Sequence, residues 1–514
     1  GLNFILTVAA SQGWPIKSAD VRNAYFQGEP QDRLVLLKPP KGGLPGEENS
    51  EDTVMAARVG IYGTKDAGRL FWKRLRKIAQ EQGLHPSKYM PALYGVEENG
   101  RLVAVFATHV DDLMWANAPG SDKIVQGVLD SFDIRKVEAG NFRFCGREIS
   151  TDDQGSIRVT CKATAENLLP INFNANRRKA TDAASEGEIG QLRSVVGGLA
   201  WIARMCRPEL SYAVSRLQSV AASAKIRDLA FANKIVAEAR AGADRALVYR
   251  AKLFDWHEGV FVTISDASFA GETLIENGKE LPRRSQRGRV SAIVHPSIWD
   301  EKTKSAAMYV IGWKSSMIKR VCRSTMAAET MALTSGVGDD AKMCTVIDEL
   351  RGPSAKPMKR LWLTDCASLH SYLSNPVTAG CEDKRLEIDL QDLRQSLWED
   401  QKGDPIDFLK DTETHAIRWI DTSTMLADPL TKHMKADRLT NAIDAGVLDL
   451  NATPEAEMQK YMKKKQRSKT GEVSCVEELD EGLDSQAKRL RTEQMPSHDW
   501  EEHNRIGLED GVDR

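Results

Sequence analysis

The chain has 514 residues, of which 41% are hydrophobic and 28% charged, with a net charge of −2. That length predicts two or three domains, each able to bury a core, and the composition excludes wholesale disorder. The near-zero charge confines any nucleic-acid surface to a local basic patch.

Eight cysteines, at 145, 161, 206, 322, 344, 366, 381 and 475, form no C-x-x-C pair and no cysteine–histidine zinc spacing. They read as reduced thiols of an intracellular protein without structural zinc. No apolar run approaches the roughly 18 residues of a membrane span, and no signal peptide opens the chain. A start at Gly1 rather than Met suggests a piece of a longer polyprotein or gene model.

From Gly1 to about Ser150 short apolar strands alternate with helical stretches. "FWKRLRKIAQEQG" from Phe71 has the 3.6 period of an amphipathic helix, stopped by Gly83. "RLVAVFATHVDDLMWANA" from Arg101 predicts a β-hairpin with Asp111 and Asp112 at its tip, and "GSDKIVQGVLDSFDI" a helix after it. Leu192 to Ala251 is almost continuously helical. At "DWHEGVFVTISDASFAGE" the pattern changes to three strands in succession, then the helix "STMAAETMALTSGVGDDAKM", the strand "RLWLTDCAS", and a further helix and strand. That order predicts an α/β unit with a mixed sheet. After about Ala436 charge rises around "KKKQRSK" and "KRLR", which predicts a solvated, largely disordered tail with a candidate nuclear-localisation signal.

Two adjacent carboxylates in an apolar hairpin need a compensating cation. With Asp20 upstream, Asp111 and Asp112 make three carboxylates on two strand ends, a ligand set that can hold two Mg²⁺ ions ~4 Å apart for displacement at phosphorus. Taken alone, adjacent aspartates in a loop are most often turn residues. A second acidic series runs Asp266, Glu329, Asp365 and Asp428: one on a strand, one in a helix, one at a strand end and one opening a last helix. Such a series can converge on two metals, although each acid alone reads as a helix cap or surface residue. "RRSQRGR" and "KSSMIKRVCR" read equally as phosphate contacts or solvated basic loops.

These stretches carry a family resemblance. "DVRNAYFQGEP" resembles motif A of reverse transcriptases, "IYGTKDAGRLFWKRL" the copia-type "LYGLKQAPRAWYKRL", and "HVDD" the "YVDD" of motif C. "FDIRKVEAGNFRFCGREI" and "LRSVVGGLAWIARMCRPELSYAVSRL" are similar to the segments that follow in that family. "SDASFAGE", "RRSQRGRV", "GWKSS", "RSTMAAETMAL", "LTDCASLHSYLSNP" and "MLADPLTK" resemble its RNase H domain. The matches run in family order from Gly1 to about Met434 and point to the Pol polyprotein of copia-type (pseudoviral) LTR retrotransposons.

The resemblance implies an α+β and α/β multidomain fold. Residues 1–150 would be a reverse-transcriptase palm with its fingers largely missing, 151–253 a mostly helical thumb and connection, 254–435 an RNase H-like mixed-sheet domain, and 436–514 the charged tail. It makes Asp20, Asp111 and Asp112 the polymerase metal ligands and Asp266, Glu329, Asp365 and Asp428 those of the ribonuclease, with two Mg²⁺ per site and Mn²⁺ as an alternative. Tyr25 would lie beneath the incoming sugar, Gly63 and Lys65 at the nascent pair, and Phe144, Cys145 and Gly146 in the primer grip. The implied partners are an RNA template, a DNA primer, an RNA–DNA hybrid, dNTPs, and the integrase and protease of the full polyprotein. No membrane is implied, and action would be in cytoplasmic virus-like particles, with the nucleus a further destination.

Some residues depart from the family pattern. His109 stands for the tyrosine before the aspartates, Asp66 and Gly68 for the glutamine and proline of motif B, and Glu387 and Asp392 for two histidines. These departures, with a chain that starts just upstream of motif A, predict weak or absent polymerisation and an RNase H unit complete enough to act alone. The alternatives are a decayed or domesticated element that binds nucleic acid without catalysis, and a ribonuclease with an inert palm as its platform.

Overall fold

Residues 67–81 put Ala67, Leu70, Phe71, Leu75 and Ala79 on one buried stripe at helical spacing, while the charged residues between them stay at least partly exposed. The same logic of alternating faces organises the strands around them. The computed structural model describes residues 1–452, except 42, 45, 47–52, 175–178, 273–274, 277–278, 281–283, 354, 379, 401 and 410–413, and also 454 and 458.

The expected palm comprises α1 (Leu2–Gln12), β1 (Ile16–Val21), the two-residue strands β2 (Leu36–Leu37) and β3 (Met55–Ala56), α2 (Ala67–Glu81) and β4 (His85–Pro86). It continues with β5 (Leu93–Glu98), β6 (Arg101–His109), β7 (Asp112–Asn117), α3 (Asp122–Leu129) and β8 (Ile134–Ala139). Its antiparallel sheet has the order β4-β5-β6-β7-β1-β8. Strand alternation splits the apolar residues between two faces. Ala104, Phe106, Leu113 and Trp115 face Phe71, Leu75, Val125 and Val128 of α2 and α3. Val105, Ala107, Met114 and Ala116 fall instead in the core that holds Phe4, Ile5 and Val8 of α1.

A second sheet, β12-β11-β10-β9, is built from β9 (Phe142–Phe144), β10 (Arg147–Thr151), β11 (Ile157–Thr160) and β12 (Leu247–Tyr249). The helices α4 (Lys162–Glu166), α5 (Glu186–Met205), α6 (Ser211–Val220) and α7 (Ile226–Ala241) lie between its last two strands in sequence. Ser185 and Glu188 close a capping box on α5. The stretch 151–253, read from sequence as mostly helical, thus also supplies strands, and a division at 150 falls inside β10.

The third sheet, β19-β18-β13-β16-β17-β20, combines β13 (Val260–Glu272), β16 (Arg284–Val294), β17 (Ser305–Met317), β18 (Arg360–Thr364), β19 (His415–Trp419) and β20 (Val447–Asp449). The short hairpin β14 (Ile275–Glu276) and β15 (Lys279–Glu280) follows β13. Strands β13, β18 and β19 run parallel, and β13, β16, β17 and β20 antiparallel. Its helices are α8 (Thr325–Leu350), α9 (Ala367–Ser374), α10 (Lys384–Trp398) and α11 (Asp437–Ala445). Among the described residues no helix is long and apolar enough to cross a membrane.

Two expectations change here. The charged tail does not begin at 436: α11 and β20 belong to the third sheet because Leu439, Ile443, Leu448 and Leu450 are buried, and Gly446 at φ 67° turns the helix into the strand. The tail beyond, with "KKKQRSK", lies almost entirely outside the described residues. Nor is the third sheet packed as a separate unit, since residues 1–451 form one compact body. A continuous core runs from Phe4 through Phe144 and Leu199 to Val262 and Leu439.

Candidate active sites

Register alone assembles the first acid group. β1 lies along β7 with Asp20 opposite Asp112, and His109 faces Asp112 across the hairpin. Val110 takes φ 58°, which tightens the bend at the tip, and the Val21 N–H donates to the Asp111 carbonyl at 2.9 Å. Burial raises the Asp112 carboxyl above its usual range, and the charges of Asp111 and Asp20 raise it further. His109 and a hydrogen bond from the Cys145 backbone oppose that rise. Arg135 reaches Asp20 at 3.8 Å.

The second group is packed from both sides of a sheet. Asp266 lies in β13, Glu329 in α8 after the Ser324 cap, and Asp365 directly after β18. Each offers an oxygen within 4.8 Å of the others, and among the described residues this is the group of three that could hold a metal ion. Burial, then the Asp428 charge, pushes the Asp266 carboxyl up to about 7. Burial, then Asp266 and Asp365, raises Glu329 well above the usual carboxylate range. The Ala267 N–H donates to Glu329 Oε1 at 3.2 Å, while Glu329 Oε2 is buried with no partner. An orphaned buried acceptor is costly, and a divalent cation both satisfies it and offsets the crowded negative charge. The donor set therefore fits a hard cation.

The turn that carries Asp428 approaches this group because residue 288 is glycine. Gly288 pairs with Asp266 across β13 and β16, and a Cβ there would lie 2.8 Å from the Ala427 carbonyl, Leu430 Cβ and Thr431 Cγ2. The turn at Asp428–Leu430 thus rests directly on the sheet, and Thr431 donates its hydroxyl to Asp266 Oδ2 at 2.5 Å. Asp428 itself stands outside the close group of three and accepts from Lys432 Nζ at 2.8 Å.

Residues 2–174 match the family described as reverse transcriptase (RNA-dependent DNA polymerase). The retrovirus-related Pol polyprotein from transposon RE2 of Arabidopsis thaliana is 26% identical over 374 residues, which cover 68% of this chain and 23% of that protein. The corresponding polyprotein from transposon RE1 of the same plant is 24% identical over 467 residues, or 86% of this chain and 28% of that protein. These matches support a copia-type Pol polyprotein. The chain spans about a quarter of the length of these two relatives. A solved foamy viral protease-reverse transcriptase in complex with dsDNA aligns over 79% of this chain and 68% of its own, with 12% identity and a TM-score of 0.43, too distant to bear on the architecture.

The other expected site residues fall in distinct settings. Tyr25 stacks on Tyr62 at 4.5 Å between ring centroids, and Phe26 meets the same ring edge-on at 5.7 Å. Tyr62 was not singled out from sequence, although it lies in the quoted "IYGTKDAG"; Asp111 and Asp20 help raise its hydroxyl pKa after burial. Gly63 takes φ 98° and Lys65 is exposed. Asp66 is not a bare negative charge, because Arg33 Nε donates to it at 2.6 Å.

Of the expected primer grip, Phe144 is fully buried and anchors the turn from below rather than offering a surface. Cys145 and Gly146 form the turn itself in the left-handed region, at φ 47° and 71°. A side chain on Gly146 would meet the Trp201 ring of α5 at 3.4 Å. Thr431 and Lys432 were also missed, though their spacing of three and four residues after Asp428 was a signal that they return to the same acid.

Proposed function

We propose that this Pol segment is an RNA-directed DNA polymerase with an associated ribonuclease H, copying RNA from a DNA primer and cleaving the RNA strand of RNA–DNA hybrids. The reading is carried by the Asp266, Glu329 and Asp365 group with its orphaned Glu329 oxygen, downstream of a reverse-transcriptase match on the same chain. Asp266, Glu329 and Asp365, with Asp428 beside them, would hold Mg²⁺ or Mn²⁺ in the ribonuclease, and Asp20, Asp111 and Asp112 in the polymerase. Bound there, such ions supply acidification of the attacking water or primer hydroxyl and neutralise charge on the leaving group.

The remaining work falls to the chain. Thr431 orients Asp266, and the Ala267 N–H fixes one Glu329 oxygen while the other stays buried and unpaired. In the palm, the Tyr25 ring braced by Tyr62 would sit beneath the incoming sugar, and the Cys145–Gly146 turn, tied by its backbone to Asp112, would position the primer end.

The test is Mg²⁺-dependent cleavage of a labelled RNA–DNA hybrid with Asp266→Asn as control, followed by dNTP incorporation with Asp111→Asn as control. Cleavage absent from a well-folded sample overturns the ribonuclease reading. A second reading, a ribonuclease whose palm only holds nucleic acid, draws on the looser palm acids, which form no close group of three. Cleavage without incorporation would favour it.

A further inference from the structure

The ribonuclease acids are not equivalent. Three of them form a close group with an unsatisfied, buried Glu329 oxygen, whereas the fourth already has a cation, the ammonium of Lys432. That contact is built by the local turn: the Thr431 and Lys432 N–H groups both donate to the Asp428 carbonyl, at 3.0 and 3.3 Å, and bring Lys432 Nζ to 2.8 Å from Asp428 Oδ1. The pair is lopsided, with the Asp428 side chain 12% exposed and the Lys432 side chain 50% exposed. A long side chain half in water can withdraw its charged head without unpacking anything. The Lys432 charge also acts on Asp266 and Asp365, so it belongs to the whole cluster rather than to one acid.

We propose that Lys432 is a displaceable internal counter-ion that closes the Asp428 side of the centre, so that divalent ions fill it in order: first at Asp266, Glu329 and Asp365, then beside Asp428 once the ammonium has withdrawn. This rests on reading the cluster as a divalent-cation centre. An ammonium and a dication a few ångströms apart repel strongly in a part-buried setting, and both cannot use the same Asp428 oxygen. If Lys432 were only an i,i+4 surface partner, its removal would leave metal binding untouched.

The experiment counts Mn²⁺ alone, by calorimetry and by the spin-resonance signal of the free ion. It uses the full chain carrying Asp111→Asn and Asp112→Asn, so that the palm does not contribute. The expected result is one tighter and one weaker Mn²⁺. The weaker constant should strengthen about threefold to tenfold in Lys432→Met, stay weak in Lys432→Arg, and vanish in Asp428→Asn. Circular dichroism checks the fold of each variant. Unchanged constants in a folded Lys432→Met protein overturn the proposal, as does the absence of any bound Mn²⁺. Ordered filling in a protein that cleaves no hybrid would remove the nuclease reading and leave this one standing.

Discussion

The two acid groups of this chain differ in how they are brought together. Asp20, Asp111 and Asp112 stand at neighbouring strand ends, placed by ladder register and left partly open, whereas Asp266 and Glu329 are buried between a sheet and a helix. Register alone puts carboxylates side by side. Gathering three ligating oxygens within 4.8 Å takes packing from both faces, and the result is a far larger upward shift of the acids. The Asp266 group is thus preorganised at the expense of local stability, and the palm group is loose at little cost.

The largest effect on activity is expected from Gly288→Ala. A methyl group there forces the Asp428 turn off the sheet, and hybrid cleavage should fall by about 10²-fold or more while dNTP incorporation is unchanged. Equal loss of both activities would show that the two centres are not separately built.

A second effect is expected in stability. The folded Asp266 carboxyl titrates at about 7 against an ordinary 3.8, so between those pH values the folded state holds a proton that the unfolded chain has lost. Stability therefore falls as pH rises from about 4 to about 7 and stays lower above that. Metal-free protein should melt lower at pH 8 than at pH 5, and Asp266→Asn should recover up to ~4 kcal/mol at pH 8 and almost nothing at pH 4. The raised Glu329 acts in the same direction, so the variant keeps part of the slope. Asp112→Asn should recover well under ~1 kcal/mol, because its carboxyl is only part buried. Thermal melts across pH with and without Mg²⁺ measure all of these, and Mg²⁺ should abolish the loss at pH 8 in the parent protein.

In the palm, Tyr62→Ala should raise the KM for dNTP about threefold to tenfold through loss of the Tyr25 brace, with little change in kcat. Steady-state incorporation kinetics decide this. The smallest effect is expected from Arg33→Ala, since its partner Asp66 is also solvent-accessible: less than ~1 kcal/mol by denaturant unfolding.

What the sequence made legible follows from locality. The hairpin with Asp111 and Asp112 at its tip is written as two apolar runs around a polar turn, and Asp365 at a strand end in "RLWLTD". The convergence of Asp266, Glu329 and Asp365 was expected from their order and the resemblance, but not that Asp428 would stand outside the close group, nor that its turn would depend on the glycine across the ladder. The last strand, Val447–Asp449, escaped notice for a similar reason: three residues become a strand only when β17 supplies an edge, and the charges around Leu439 and Ile443 dilute the helical pattern before it. Phe144, expected in the primer-grip turn, has a burial that no local pattern announced.

Helix α1 has a consequence for how such a chain can change. It is buried on nearly every side, against the palm strands through Phe4, Ile5 and Val8, and against the third sheet through Asn3, which donates to the Ile311 carbonyl at 3.2 Å. Phe4 meets Trp256 edge-on at 5.1 Å, and Ser11 bridges the Phe254 carbonyl and the Trp256 N–H at 2.7 and 2.9 Å. A cut or a recombination breakpoint between the two sheets would leave each half holding one side of a joint, with apolar surface open to water and to other chains. Helix α1 therefore ties the integrity of the first sheet to that of the third.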